Sequence, residues 1–331
     1  MNFENELRIA IDAVKQACRL CTRVQSSLVS QETMTKKDKS PVTVADFGAQ
    51  AVICSELKNA FPEDPIVAEE DSAELNDEGG ETLMGKIVEH VSAIVPGITV
   101  SEVIAAIDSG AYGGGTEGRF WTLDPIDGTK GFLRGEQYAV ALALIENGQV
   151  VLGVLGCPDL ALDLDNPGGP KGCLLYGVKG QGSNAGLLAE NSANSIYVSD
   201  ISDTNDASFC ESVESGHSSH GDSERIAQIL GVTNPPVRLD SQCKYAVIAR
   251  GDASIYLRLP TRKDYEEKIW DHAAGSIIVT EAGGTVTDIH ALALDFSLGQ
   301  TLSANKGIVA TNGRFHDKVI SSVGEVLGSG D

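Results

Sequence analysis

The stretch "WTLDPIDGTKGF" (Trp121–Phe132) is the feature that most constrains how this chain can fold. An apolar run leads directly into two carboxylates, Asp124 and Asp127, which a proline and an isoleucine separate. Apolar residues are interleaved with the acids, and this pattern predicts a strand that ends in a partly buried turn. Buried, unpaired carboxylates are unfavourable, so the turn is expected to bind a cation or to take up a proton.

The length and charge of the chain limit its architecture and its partners. At 331 residues it is longer than one typical core supports, so two domains or one large composite are expected. A net charge of -22 argues against a nucleic-acid polymer or an anionic membrane as partner. A small anionic substrate is compatible with this charge, provided that local cations or bound metal ions face it. No apolar run reaches the length of a membrane span.

Cysteine usage and the N-terminal residues indicate the compartment. The seven cysteines are odd in number and scattered, and they lack the partners of a zinc site. The N-terminus carries acids where a signal peptide needs a basic start and an apolar block. A reducing compartment, the cytoplasm, is therefore expected, with an organelle reached by a removed transit peptide as the alternative. Cys157 and Cys173 flank a loop, where two free thiols are favoured over a regulatory disulfide.

Hydrophobic periodicity predicts an α/β organisation. Apolar residues at three- and four-residue spacing predict a helix over 7–28, and a second helix is expected over 46–61. The strand "FWTLD" is followed by a hairpin that turns at Glu146–Gly148. The polar segment 72–118 is expected to contain one helix. Strands and helices alternate past residue 200, which predicts a domain boundary near that position.

Acidic residues recur where strands are expected to end or helices to begin. They are Asp46, Glu69, Glu70, Asp124, Asp127 and Asp271. Carboxylate oxygens without a thiolate or a histidine set are the ligand preference of Mg²⁺ or Mn²⁺ rather than zinc. A single acid proves little in a chain with 47 of them. For Asp271, which the pattern places at the start of a helix, capping of that helix is the alternative interpretation.

Several long motifs carry a family resemblance. "LDPIDGT" and "WDHAAGSIIVTEAGG" resemble the two signatures of the inositol monophosphatase-like, lithium-sensitive, Mg²⁺-dependent phosphatases. Within that superfamily, "KSPVTVAD", "ESGHSSHGD", "DSQCKYAVIARGDASIYLRLP" and "EKIWDHAAG" are similar to the 3'(2'),5'-bisphosphate nucleotidases. The resemblance extends from about residue 5 to residue 325. It implies a layered αβαβα sandwich of the inositol monophosphatase/fructose-1,6-bisphosphatase type, with an α+β domain over 1–200 and an α/β domain over 201–331.

The resemblance also implies roles for the acids. By similarity, the metal ligands are Glu69, Asp124, the Ile126 carbonyl, Asp127 and Asp271. They are implied to hold two to three Mg²⁺ ions, with Asp124 bridging two of them and Mn²⁺ as a substitute. Asp46 and Thr129 are implied to orient and deprotonate the attacking water. The N-terminal domain would carry most of the ligands, and the C-terminal domain would carry the last ligand and the nucleotide-binding residues. Lithium is implied to compete for one metal position.

The substrate residues rest on the same resemblance. Those implied to contact an adenosine bisphosphate are Gly128, Thr129, His217, Ser241, Lys244 and Arg258. His217 would otherwise be an ordinary surface residue, and Lys244 a solvated charge on a helix. Arg258 interrupts the apolar run "IYLRL", where an unpaired guanidinium would be unfavourable. Together, the lysine and the arginine are expected to neutralise a second phosphate.

The resemblance implies hydrolysis of the 3'-phosphate of adenosine 3',5'-bisphosphate by a monomer, with 3'-phosphoadenylyl sulfate as a second substrate. An inositol polyphosphate 1-phosphatase would share the metal residues without needing an adenine pocket. A replacement of Asp46 or Thr129 would favour a nucleotide sensor that binds without turnover. The chain has both residues, so this alternative is not favoured. An acidic cation buffer is disfavoured because the acids lie in specific motifs.

Overall fold

The computed structural model describes residues 3–27, 33–35, 41–76, 80–166, 168–213, 220–262 and 264–328. Its helices are α1 (Glu4–Ser27), α2 (Val44–Ala60), α3 (Gly80–Ser92), α4 (Val100–Asp108), α5 (Thr129–Arg134), α6 (His220–Leu230), α7 (Cys243–Ala249), α8 (Ala273–Glu281) and α9 (His316–Gly328). Its strands are β1 (Thr33–Thr35), β2 (Pro41–Thr43), β3 (Ile66–Ala68), β4 (Arg119–Asp127), β5 (Ala139–Glu146), β6 (Gln149–Ala161), β7 (Lys171–Val178), β8 (Gly182–Leu187), β9 (Ala193–Ile196), β10 (Phe209–Glu211), β11 (Val237–Arg238), β12 (Ile255–Arg258), β13 (Thr285–Thr287) and β14 (Ile308–Thr311).

The larger sheet follows the order of the sequence. Strands β3 to β9 are neighbours in chain order, with β3 parallel to β4 and the remaining pairs antiparallel. The hairpin between β5 and β6 turns at Asn147 and Gly148, whose positive φ values of 50° and 74° suit a tight two-residue turn. The hairpin predicted at this point is confirmed.

Helices form layers on both sides of this sheet. α1 and α2 pack against one face, where their apolar residues share a core with residues of β4 to β6. α7 and α8 fill the space between this sheet and a five-stranded sheet with the order β11-β10-β12-β14-β13. α6 and α9 cover the outer face of the second sheet. The layers alternate as helix, sheet, helix, sheet and helix, which confirms the expected αβαβα sandwich.

The two halves of the chain share the central layer. The boundary expected near residue 200 falls between β9 and β10. Leu155 and Leu175 of the larger sheet lie in one apolar core with Ile278 of α8, so side chains from both sides of the boundary are buried together. The division into two domains at this position stays a prediction.

Some elements differ from the sequence-based expectations. The segment 72–118 contains two helices, α3 and α4, instead of one, and a capping box between Thr99 and Glu102 starts the second. No periodic signal predicts β8 and β9, because they are short and rich in glycine, asparagine and serine. The glycine-rich stretch around Gly180 forms the turn between β7 and β8.

The cysteines are all free and buried. Cys157 and Cys173 lie opposite each other on β6 and β7, and they are not bonded to one another. The expectation of free thiols at these positions is therefore confirmed. Among the residues that the structure describes, no helix combines the length and the apolar composition that crossing a bilayer requires.

Candidate active site

Two acids lie side by side at one end of the larger sheet. Ala68 on β3 pairs with Leu123 on the parallel strand β4. The next residue on each strand is an acid, Glu69 after β3 and Asp124 within β4. Because paired parallel strands advance together, these two carboxylates are neighbours at the same edge of the sheet.

A bulge in β4 brings Asp124 and Asp127 to the same side. Residues three apart point to opposite faces of a regular strand. The register of β4 against β5 shifts between these two acids, and Pro125 and Ile126 occupy the shifted segment. Both carboxylates line the same cavity as a result. The proline between the acids therefore belongs to the bulge that lets them converge.

This cavity has a volume of about 290 Å³ and lies where the larger sheet meets α7 and β12. Its lining includes every expected metal ligand and all but two of the other expected site residues, namely Glu69, Asp124, Ile126, Asp127, Asp271, Gly128, Thr129, Ser241, Lys244 and Arg258. Asp46 lies outside the lining, in the first turn of α2, and is only 2% exposed. His217 lies outside the described residues.

The acids of the cavity repel one another in a buried setting. Burial raises the pKa of Asp124 well above its usual range, and the neighbouring carboxylate of Glu69 raises that pKa further. Asp127, Asp271 and Asp46 act in the same direction. Burial likewise raises the pKa of Asp127 to about 6 and that of Asp271 to about 7. Without a cation, the cavity therefore favours protonated carboxyl groups.

The donor set fits a divalent metal ion. Within the described part of the chain, Oδ1 of Asp124 is buried and receives no hydrogen bond. A buried carboxylate oxygen in this state is expected to bind a cation. The other candidate ligands offer only carboxylate and carbonyl oxygens, which suits Mg²⁺ or Mn²⁺. The residues present therefore fit the metal that the sequence led us to expect.

The turn after β4 approaches the start of α7 very closely. Gly128 has a φ of +89°, and a Cβ atom at that position would lie 2.9 Å from Cβ of Ser241. Ser241 itself has a φ of +64°, an uncommon value for a residue other than glycine. The Thr129 hydroxyl donates to the Ile126 carbonyl over 3.2 Å. Only glycine permits this close approach between the turn after β4 and the start of α7. The two segments therefore lie near enough for Thr129 and Ser241 to line one cavity.

Arg258 on β12 is paired within the protein. Its Nε donates to the Glu267 carboxylate over 2.8 Å, and its Nη2 lies 3.5 Å from the Asp271 carboxylate. Burial raises the pKa of Glu267, but the Arg258 guanidinium and the neighbouring His272 ring together lower this pKa to about 2. Glu267 thus offsets the desolvation of a guanidinium in an apolar strand; it opens the string "EKIWDHAAG", but no role was expected for it. The contact of Arg258 with a phosphate stays a prediction.

A second acidic cluster adjoins Arg258. Glu267, Asp271 and His272 bring three potential ligand atoms within 4.8 Å of one another. The Arg258 guanidinium already lies against both carboxylates. The cluster is therefore an ion-pair network that uses Oδ2 of Asp271, while the place of Asp271 among the metal ligands of the cavity stays a prediction.

Asp271 does not open a helix. It ends the 3₁₀ turn Ile269–Asp271, and His272 separates it from α8. The His272 ring bonds to other side chains, with Nδ1 2.9 Å from the Tyr245 hydroxyl and Nε2 3.2 Å from the Glu267 carboxylate. The interpretation of Asp271 as a helix cap is therefore wrong, because its carboxylate faces Arg258 and the cavity instead.

Lys244 on α7 is buried rather than solvated. It is 5% exposed, and its Nζ lies 3.5 Å from the Leu239 carbonyl and 5.5 Å from the centre of the Tyr256 ring. Burial lowers the pKa of Lys244, and the charge of Asp127 opposes this effect. The interpretation of this lysine as a solvated surface charge is therefore wrong.

The cavity also contains residues that were not expected at the site. They are Lys130, Gly131, Ser212, Asp240, Gln242, Tyr256, Tyr265, Lys268 and Trp270. All of them except Ser212 and Tyr265 lie within the quoted strings "WTLDPIDGTKGF", "DSQCKYAVIARGDASIYLRLP" and "EKIWDHAAG", near residues that were expected at the site. Their closeness in sequence to the expected residues was the one feature that could have predicted them, because their side-chain contacts depend on the tertiary structure.

Comparisons with known proteins agree over nearly the whole chain. The inositol monophosphatase family profile matches residues 3–327. A Schizosaccharomyces pombe protein named 3'(2'),5'-bisphosphate nucleotidase is 46% identical, over 98% of this chain and 97% of its own length. An Emericella nidulans protein of the same name is 47% identical, over 99% of both chains.

Solved structures share the fold at lower sequence identity. The Thermotoga maritima IMPase superposes with a TM-score of 0.68 and 23% identity, over 98% of this chain and 99% of that one. An inositol monophosphatase from Anabaena superposes with a TM-score of 0.63 and 21% identity, over 98% and 97% of the two chains. At this level of identity, the superpositions support the layered architecture.

Proposed function

This chain belongs to the inositol monophosphatase family, and we propose that it removes the 3'-phosphate of adenosine 3',5'-bisphosphate, which yields AMP and inorganic phosphate. It is a hydrolase, and 46–47% identity over nearly the whole chain relates it to proteins named 3'(2'),5'-bisphosphate nucleotidase. The observation that carries the proposal is a cavity in which acids suited to metal ions face two cations, Lys244 and Arg258. A second phosphate on the substrate would use these cations, whereas a monophosphate would not need them.

The acids of the cavity are the proposed metal ligands. The family is metal-dependent, with Mg²⁺ as its usual ion, and lithium sensitivity is typical of it. Two to three Mg²⁺ ions, or Mn²⁺ in their place, would be held by Glu69, Asp124, the Ile126 carbonyl, Asp127 and Asp271. When bound, the ions would lower the pKa of a water molecule and offset the charge that develops on the phosphoryl oxygens. The buried Oδ1 of Asp124 supports this assignment.

Asp46 is the proposed acceptor of a proton from the attacking water. It is buried in the first turn of α2, near enough to Asp124 to raise the pKa of that carboxyl. The Thr129 hydroxyl donates to the Ile126 carbonyl, so its lone pairs remain available to orient the same water. As the water oxygen bonds to phosphorus, the bond from phosphorus to the ribose 3'-oxygen breaks, and that oxygen takes up a proton.

The nucleotide is proposed to bind between the turn after β4 and α7. Gly128 would let the backbone approach the phosphate that is cleaved, while Lys244 and Arg258 would face the 5'-phosphate. Ser241 lines the same cavity, and His217 would complete the set from a segment outside the described residues. 3'-Phosphoadenylyl sulfate is the proposed second substrate, because it carries the same 3'-phosphate.

A monomer in the cytoplasm is the proposed working form. Free, buried cysteines suit a reducing compartment. The net charge of -22 supports a small-molecule substrate over a nucleic-acid polymer or an anionic membrane surface.

Phosphate release from adenosine 3',5'-bisphosphate and from inositol 1,4-bisphosphate, measured side by side with Mg²⁺, tests the proposed substrate. We expect a higher kcat/KM on the nucleotide. A preference for the inositol compound would favour an inositol polyphosphate 1-phosphatase. Tight nucleotide binding without phosphate release would favour a sensor.

A further inference from the structure

Gln242 connects three segments around the cavity. It directly precedes α7 and is 1% exposed. Its backbone N–H donates to the carboxylate of Asp127. Its side-chain Nε2 donates to the Trp270 carbonyl over 2.9 Å, and its Oε1 accepts from the Gly275 N–H over 3.0 Å. One buried residue is therefore bonded to the end of β4, to the turn before α8 and to the first turn of α8.

These bonds join two proposed metal ligands that lie far apart in the chain. Asp127 ends β4, whereas Trp270 immediately precedes Asp271 in the turn Ile269–Asp271. The amide of Gln242 uses its donor on that turn and its acceptor on α8, so the two bonds also fix the orientation of the amide. The placement of the Asp271 turn relative to Asp127 depends in this way on Gln242.

We propose that Gln242 is a positioning residue that fixes the separation of Asp127 and Asp271, so that both carboxylates reach the same metal site. The proposal rests on the proposed function in one respect, the assignment of these acids as Mg²⁺ ligands. Hydrogen-bonding partners that orient metal ligands affect metal affinity, and their loss typically weakens it about 10- to 100-fold. Gln242 acts here through the backbone and side-chain groups that it holds, not through contact with the ion.

A role in stability alone is the competing explanation, and Asn312 offers a matched control. It is 2% exposed and lies away from the cavity, and its amide bonds to one distant segment and to its own turn. Its Nδ2 donates to the Ile201 carbonyl over 2.8 Å, and its Oδ1 accepts from the Arg314 N–H over 3.1 Å. Gln242→Met and Asn312→Leu each keep the approximate volume of the side chain and remove its amide. Both variants are expected to lower the melting temperature.

The test is calorimetric titration of Mg²⁺ into the full-length proteins, stripped of metal and free of substrate, well below the lowest melting temperature. We expect Gln242→Met to raise the Mg²⁺ dissociation constant about 10-fold or more. Asn312→Leu should leave this constant close to that of the wild type. Equal affinity in Gln242→Met and the wild type, or equal weakening in both variants, would overturn the proposal.

Gln242→Asn keeps the experiment decisive if the methionine variant does not fold. Its amide retains a donor and an acceptor but is one methylene shorter, so it cannot reach both Trp270 and Gly275 from the same backbone position. A similar loss of Mg²⁺ affinity is expected, and an unchanged affinity would overturn the proposal. The titration contains no nucleotide, so a wild type that binds Mg²⁺ but does not hydrolyse adenosine 3',5'-bisphosphate would refute the proposed substrate alone.

Discussion

The guanidinium Nε of Arg258 lies 2.8 Å from the carboxylate of Glu267, so the arginine of β12 is paired within the protein itself. The same guanidinium lies 3.5 Å from Asp271 through Nη2. Arg258 therefore links Glu267, a buried acid that is not a proposed metal ligand, to Asp271, which is a proposed metal ligand. A substrate phosphate at this position would be a further partner of Arg258, which makes the substitution of this residue informative.

Arg258→Ala is expected to lower kcat/KM on adenosine 3',5'-bisphosphate by roughly 10- to 100-fold, because a hydrogen bond to a charged group contributes about 1.5–3 kcal/mol. Hydrolysis of 3'-AMP, which lacks the 5'-phosphate, should fall less, and only through the lost ion pair between Arg258 and Asp271. Glu267→Gln is the matched control, since it weakens the ion pair but keeps the cation. That variant should melt at a lower temperature and still prefer the bisphosphate. Equal losses on both substrates in Arg258→Ala would assign the arginine a structural role.

Asp124→Asn is expected to abolish hydrolysis, because it removes the charge of the ligand proposed to bridge two ions. Without metal, the same substitution should raise the melting temperature, since it removes a carboxyl group whose ionised form is disfavoured by burial and by the charges of Glu69 and Asp127. Melting curves in EDTA and in Mg²⁺, together with phosphate release, check both expectations. Undiminished turnover by the variant would contradict the assignment of Asp124 as a ligand.

Asp46→Asn separates catalysis from binding. The substitution keeps the shape of the side chain and removes the proposed base, so kcat should fall by roughly 10²–10⁴-fold. Nucleotide affinity, measured by calorimetry with AMP in the presence of Mg²⁺, should change little. If affinity fell in step with kcat, Asp46 would be better assigned as a metal or structural ligand.

The contribution of Asp127 and Asp271 to the stability of the metal-free protein should fall as the pH rises from about 4 to about 7, because these two groups bind more protons in the folded than in the unfolded state. Burial raises the pKa of Asp127 to about 6 and that of Asp271 to about 7, from an ordinary value of 3.8 for both. The stability that these groups contribute is therefore complete below pH 3.8 and lost as the pH passes their raised pKa values.

Mg²⁺ should oppose this trend, since it binds the ionised carboxylates. Melting temperatures with EDTA and with Mg²⁺ across the same pH range measure the effect. The increase caused by Mg²⁺ should be larger at neutral than at acidic pH, and it should be small throughout in Asp124→Asn. An increase that does not depend on pH would contradict the expectation.

The convergence of Asp124 and Asp127 in one cavity was predictable because its signals are local. The string "LDPIDGT" contains two acids, the proline of the bulge and the glycine that permits the close approach to Ser241. The apolar strands β5 and β6 are equally local, and their turn carries the residues that a tight hairpin requires. The resemblance to a known family then added the ligands and the catalytic pair as expectations.

Side-chain partners were not predictable in the same way. Gln242 bonds to Asp127 across 115 residues of sequence, and neither string requires the contact. A lysine on a helix is usually a solvated charge, yet the packing of α7 buries Lys244 beside the Tyr256 ring. Such contacts depend on how whole elements are placed relative to one another, which hydrophobic periodicity does not encode.

The identity of the products formed from adenosine 3',5'-bisphosphate tests the proposed reaction most directly. The full-length protein is incubated with this substrate and Mg²⁺, and the reaction is followed by phosphorus NMR. We predict inorganic phosphate and adenosine 5'-monophosphate in equal amounts, with no turnover in excess EDTA. Formation of adenosine 3'-monophosphate, or turnover that persists in EDTA, would contradict the proposed reaction.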